Sequence, residues 1–87
     1  MTWKIEFEEI AAKEFKKLPI ATRKEIYKYF KRILKLSNPK EMAKPLRHDK
    51  AGLYRYRIGK YRVICNFEEN KLVIIVLRVG KRDKIYK

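Results

Sequence analysis

The chain predicts an α+β fold in the order β-α-α-β-β-β, with two N-terminal helices packed on one face of a small, mostly antiparallel sheet. Three stretches carry that prediction. Residues 53–62, Leu-Tyr-Arg-Tyr-Arg-Ile-Gly-Lys-Tyr-Arg, alternate strictly and then turn at Gly59-Lys60, as a hairpin does. Residues 72–77, Leu-Val-Ile-Ile-Val-Leu, form an unbroken apolar run, which suits a strand buried on both faces inside a sheet. From Glu8 to Leu36 the apolar spacing changes to three and four, the period of amphipathic helices. Residues 1–87 are expected to form a single domain with a modest core.

The first element is a short strand. Trp3, Ile5 and Phe7 alternate with Thr2, Lys4 and Glu6, so one face is apolar. A first helix follows with Ala11, Phe15 and Leu18 as its apolar stripe. Glu8 and Glu9 stand at its start, where the helix dipole favours negative charge. Pro19 is expected to end it. A second helix runs from about Ala21 to Leu36 and buries Ile26, Phe30, Ile33 and Leu34. Its other faces carry Arg23, Lys24, Lys28, Lys31, Arg32 and Lys35 against one acid, Glu25. A solvated face and a contact with RNA or a partner fit that run equally. Ser37-Asn38-Pro39 stops the helix, and residues 38–52, with Pro39, Pro45 and Gly52, read as a loop. Strands at 53–58 and 61–67 come next, then a tight turn over Glu68–Lys71 and the apolar strand. The tail from Gly80 is polar apart from Ile85 and Tyr86.

Within the hairpin, alternation puts Arg55 and Arg57 on one face and Tyr54, Tyr56 and Ile58 on the other. A two-residue turn with Gly59 at its first central position sets Ile58 against Tyr61 and Arg57 against Arg62. It also sets Tyr56 against Val63 and Arg55 against Ile64. The helices are expected to cover the tyrosine face and leave the arginine face open. Arg57 opposite Arg62 is unfavourable for folding alone, because like charges across a sheet repel. A bound anion supplies the reason. Acids are scarce near the hairpin in sequence, which favours phosphate over internal ion pairs as the arginines' partner.

The net charge of +14 and pI near 10.1 also point to a polyanionic partner. Four of the ten acids fall within the first fourteen residues, so the rest of the chain is more basic still. Nucleic acid is the leading partner class. No membrane partner is expected, since no segment is apolar and long enough to span one and no lipidation signal is visible. The single cysteine, Cys65, cannot form an internal disulfide, and its apolar surroundings suggest a buried, inert thiol. Without a signal-peptide apolar region at the N-terminus, a cytoplasmic location is expected.

No Gly-rich phosphate loop, Cys/His metal spacing or nucleophile elbow occurs, so no metal or organic cofactor is expected. His48, the one histidine, reads as a solvated loop residue. The remaining candidates are Arg55, Arg57 and Arg62, Arg82 just beyond the apolar strand, and Tyr86, with Lys60 and Lys81 as auxiliary phosphate contacts. These groups suit phosphodiester chemistry on RNA. A 2′-hydroxyl attacking its own 3′ phosphate builds charge on the phosphorane and on the leaving 5′ oxygen, and preorganised guanidiniums stabilise that charge. A tyrosine can stack on a base or orient a phosphate. Arg stays protonated and unperturbed Lys and Tyr titrate near ~10, so positioning and electrostatics would carry most of the rate.

Several segments, in their order and spacing, resemble the RelE-type toxins of the RelE/ParE superfamily, the toxic halves of type II toxin–antitoxin modules. They are Glu-Phe-Lys-Lys-Leu-Pro at 14–19, Lys44-Pro45-Leu46-Arg47, Tyr54-Arg55-Tyr56-Arg57, Gly59-Lys60-Tyr61-Arg62-Val63-Ile64, and Val79-Gly80-Lys81-Arg82 followed by Tyr86. The resemblance covers essentially the whole chain. It implies a metal-independent endoribonuclease that cuts mRNA in the ribosomal A site and is silenced by a cognate antitoxin. It also implies roles. Arg57 would act on the 2′-hydroxyl, Arg62 would stabilise the phosphorane and Arg82 would assist the leaving oxygen. Arg55 would hold backbone phosphate, and Tyr86 would stack on or orient the substrate. Relatives carry lysine where this chain has Arg57, and many carry histidine where Lys81 stands. Arginine is a poor proton acceptor, so Arg57 is expected to orient and to supply charge. Two alternatives stand beside this reading: the non-catalytic ParE-type branch that poisons DNA gyrase, and a basic module that binds RNA or ribosomes without cutting. The full basic set with its terminal tyrosine favours RNA cleavage.

Overall fold

The computed structural model describes residues 2–46 and 52–81. Strand β1 (Lys4–Phe7) leads into helix α1 (Glu9–Lys16), and α2 (Ile20–Ile33) follows after a short bend. A 3₁₀ turn at Pro39–Met42 precedes β2 (Lys44–Pro45), then β3 (Tyr54–Ile58), β4 (Tyr61–Glu68) and β5 (Val73–Lys81). The strands lie in the order β1-β5-β4-β3-β2, antiparallel throughout except for β1, which runs parallel to β5. This is the α+β, mostly antiparallel arrangement that the sequence predicts, with β5 inside the sheet. No helix among the described residues is long and apolar enough to cross a membrane.

Three local differences have physical causes. First, α1 ends at Lys16, before Pro19. The Lys17 and Leu18 amides donate to the carbonyls three residues back, Glu14 at 3.2 Å and Phe15 at 3.1 Å, which tightens and closes the helix. Pro19 instead caps the start of α2, with its carbonyl accepting from the Arg23 amide at 3.0 Å. Second, the expected loop over 38–52 contains ordered backbone. Asn38 Oδ1 accepts from the Lys40 amide at 3.2 Å, starting the 3₁₀ turn, and β2 then pairs Lys44 with Arg55 and Pro45 with Tyr54. Proline is tolerated there because β2 is an edge strand. Third, β5 continues past residue 77. An irregularity in register inserts Leu77 between the pairs Cys65–Val76 and Ile64–Arg78, and pairing resumes through Lys81.

The core lies between the helices and one face of the sheet. Ala11, Ile26, Phe30 and Ile33 meet Tyr56, Val63, Cys65, Ile74, Val76 and Val79, and all of these are buried. Leu34 packs at the edge of this cluster and is only half-buried. Tyr56 is fully buried, and its hydroxyl donates to the Pro39 carbonyl at 2.7 Å, pinning the 3₁₀ turn to the sheet. Edge-on contacts of Tyr56 with Tyr29 (5.6 Å) and Tyr54 with Phe67 (5.2 Å) extend the aromatic layer.

Candidate nucleic-acid interface

The hairpin forms in the expected register: Tyr56–Val63, Arg57–Arg62, Ile58–Tyr61 and Arg55–Ile64. Gly59 takes φ +58°, the conformation that the turn requires of its first central residue. A side chain there would put Cβ 3.2 Å from a Glu25 carboxylate oxygen, so the turn sits close against α2.

Paired residues share a face, so the register defines two cross-strand rows on the face away from the core. One row is Lys44–Arg55–Ile64–Arg78 and the other is Arg57–Arg62–Gly80. Gly80 brings no side chain beside Arg62. Arg55, Arg57 and Arg62 are thus brought together. Lys60 is exposed in the turn. Lys81 pairs with Tyr61, one row over, so alternation directs it to the opposite face from Arg62. Arg82, Tyr86 and His48 lie outside the described residues.

The arginine face is less open than expected. Arg57 is exposed and Arg55 half-buried, but Arg62 is only 7% exposed and its neighbour Ile64 only 5%. Ile64 lines a cleft of 540 Å³ together with Leu46, Leu53, Leu77, Glu8, Glu9 and Arg78. A guanidinium withdrawn from bulk water attracts an anion more strongly than one on the open surface.

Helical acids also come closer to the site than the sequence suggests. Glu25 shares a 390 Å³ cleft with Lys28, Arg32 and Arg57 at the hairpin turn. Glu14 binds Arg78 in a bidentate pair, its Oε2 accepting from Nε at 3.1 Å and from a terminal nitrogen at 2.9 Å. The sequence pattern does not single out Arg78, because the apolar run ends at Leu77. The continuing alternation of Leu77-Arg78-Val79-Gly80 was the available signal.

Five described groups titrate away from their ordinary values, and all shift upward. Burial raises Tyr29, Tyr56 and Cys65, with the Cys65 thiol pushed up to about 12. Hydrogen bonding to Tyr54 raises Lys40, and hydrogen bonding to Glu14 raises Arg78. None of these shifts brings a group toward neutral pH. Among the described residues, no three His, Cys, Asp or Glu side chains converge as a cation site. What the arrangement offers chemically is fixed positive charge.

Comparison with known proteins places this geometry in a family. The sequence profile of the ParE toxin of type II toxin-antitoxin system, parDE, matches residues 5–86. Toxin RelG of Mycobacterium tuberculosis is 35% identical over 49 residues, which make up 56% of this chain and 56% of that protein. The chain spans about half the length of the curated relatives it matches. Among solved structures, a chain of the RelBE2 toxin–antitoxin complex from Mycobacterium tuberculosis superposes with a TM-score of 0.83 at 25% identity, covering 94% of this chain and 100% of that one. The isolated E. coli RelE toxin gives 0.75 at 27% identity, with coverage of 97% and 90%. The chain belongs to the ParE toxin family of type II toxin–antitoxin systems, as a RelE-type member of the RelE/ParE superfamily.

Proposed function

We propose that this protein is an endoribonuclease that cuts messenger RNA in the ribosomal A site, and that a cognate antitoxin silences it. The observation that carries the reading is the direct pairing of Arg57 with Arg62, with Arg55 on the same face. That pairing opposes folding and favours an anion between the two side chains.

In this reading Arg62 receives the scissile phosphate and stabilises the phosphorane, Arg57 orients the 2′-hydroxyl, and Arg55 holds an adjoining backbone phosphate. Attack of the 2′ oxygen on phosphorus breaks the bond to the 5′ oxygen and leaves a 2′,3′-cyclic phosphate and a 5′-hydroxyl. The 2′-hydroxyl gives up a proton and the departing oxygen gains one, with water serving both transfers. Arg82 assists the leaving oxygen and Tyr86 orients the substrate, as in the toxins that the chain resembles. Because the protein contributes charge more than proton transfer, the ribosome's hold on the message supplies the alignment of attack. A net charge of +14 suits an acidic antitoxin segment, and the similarity to a chain from a toxin–antitoxin complex supports such a partner.

Primer extension on a message under translation tests the reading. Discrete A-site cuts that disappear in Arg62→Ala and Arg82→Ala are expected. The match to the ParE toxin profile gives the gyrase-poisoning alternative its standing. Intact message with double-strand DNA breaks would establish that alternative instead, and neither lesion would leave binding alone.

A further inference from the structure

Among the described residues, the C-terminal half of β5, from Leu77 to Lys81, has no strand on its outer side. β1 pairs with β5 only from Val73 to Val76, because α1 begins at Glu9 and carries the chain off the sheet. β5 nevertheless continues along β4 to Lys81 and sets Gly80 against Arg62. Its outward main chain needs another partner there. Glu14, on α1, provides one: its Oε1 accepts from the Val79 amide at 2.8 Å. The same carboxylate takes the bidentate bonds from Arg78. A single side chain thus holds two consecutive residues of β5 across more than sixty positions of sequence. A partly exposed ion pair alone adds little rigidity. The added main-chain bond does more, because it stands in for the missing strand.

We infer that Glu14 is a positioning residue for the cationic face. It fixes the end of β5, so that Gly80 stays against Arg62. The inference rests on the endoribonuclease reading above. Glu14 touches no substrate in this scheme, and its negative charge would by itself weaken phosphate binding.

Glu14→Gln keeps a carbonyl oxygen for the Val79 amide but loses the charge, whereas Glu14→Asp keeps the charge on a shorter arm. Glu14→Ala loses both. Each is compared with wild type by single-turnover cleavage on programmed ribosomes, by ribosome affinity, and by amide hydrogen exchange at Val79 and Phe30. For Glu14→Ala the cleavage rate should fall about tenfold or more, the scale of a small misplacement at a reacting centre. Ribosome affinity should hold or tighten, and Val79 should exchange faster while Phe30 in α2 keeps its protection. Glu14→Gln should recover more activity than Glu14→Asp, a comparison that stands even if Glu14→Ala fails to fold. Wild-type activity in Glu14→Asp with loss in Glu14→Gln would show a charge role and overturn the inference. So would full-rate cleavage by Glu14→Ala, or equal loss of protection at Val79 and Phe30. A wild-type protein that cuts no message would overturn the endoribonuclease reading, and this inference with it, before any variant is compared.

Discussion

Replacing Arg62 by methionine removes one charge from the paired arginines while keeping a side chain of comparable length. Arg62 is 7% exposed, so its guanidinium acts on an incoming phosphate with little water between them. Losing one preorganised donor to a developing oxyanion costs about 3–4 kcal/mol of transition-state stabilisation, which is roughly a hundred- to a thousandfold in rate. Lys31 is the contrasting site. It lies on the exposed side of α2 with its ammonium 5.5 Å from the centre of the Tyr27 ring, where solvent and salt screen it. Lys31→Met should change cleavage by no more than about fivefold, as befits an exposed charge worth roughly 0.2–1 kcal/mol. The assay is single-turnover cleavage of a defined message on ribosomes with an empty A site, with thermal melts showing that each variant is folded. Arg62→Lys should fall between wild type and Arg62→Met, since lysine keeps the charge but not the planar fork. Equal effects of Arg62→Met and Lys31→Met would refute the assignment of the cationic face.

Four further outcomes follow from the same structure. Tyr56→Phe removes the 2.7 Å bond to the buried Pro39 carbonyl and should cost about 1–3 kcal/mol in urea denaturation, so an unchanged midpoint would contradict the anchoring role. Gly59→Ala meets both a φ of +58° and a Glu25 oxygen 3.2 Å from its new Cβ; a loss of about 1–2 kcal/mol is expected, and a wild-type midpoint would argue against this turn. Burial raises the Cys65 thiol to about 12, so above about pH 9 the unfolded chain releases a proton that the native state keeps. That contribution to stability is complete below pH 9 and is lost as pH rises toward 12, by up to ~1.4 kcal/mol per pH unit. Cys65→Val should show the shallower alkaline decline, and parallel curves from pH 8 to 11 would contradict the burial argument. Ribosome association should weaken steeply with salt through counterion release, and a flat response would contradict phosphate contact.

The parts of this structure readable in the sequence are those fixed by short-range rules. Strict alternation from Tyr54 to Ile58 and one glycine at the turn set the hairpin register, and with it the pairing of Arg57 and Arg62. The apolar stripes of α1 and α2 gave the layer that covers the tyrosine side. What sequence could not give depends on distant partners. Lys44–Pro45 is a strand only because Arg55 and Tyr54 pair with it. β5 outruns its apolar run because the register slips at Leu77 and then resumes. The Glu14 contacts with Arg78 and Val79 join residues 64 and 65 positions apart, beyond any local pattern. The burial of Arg62 likewise has no local signature, whereas the sequence suggested an open arginine face.

The chemistry assigned to the paired arginines requires the message's own 2′-hydroxyl as nucleophile. A message with a single 2′-deoxynucleotide at the cut position should therefore resist cleavage on the ribosome. Its all-ribose counterpart should yield an upstream fragment whose mass carries a 2′,3′-cyclic phosphate. Cleavage of the deoxy message at the same rate, or a downstream fragment bearing a 5′-phosphate, would contradict the account.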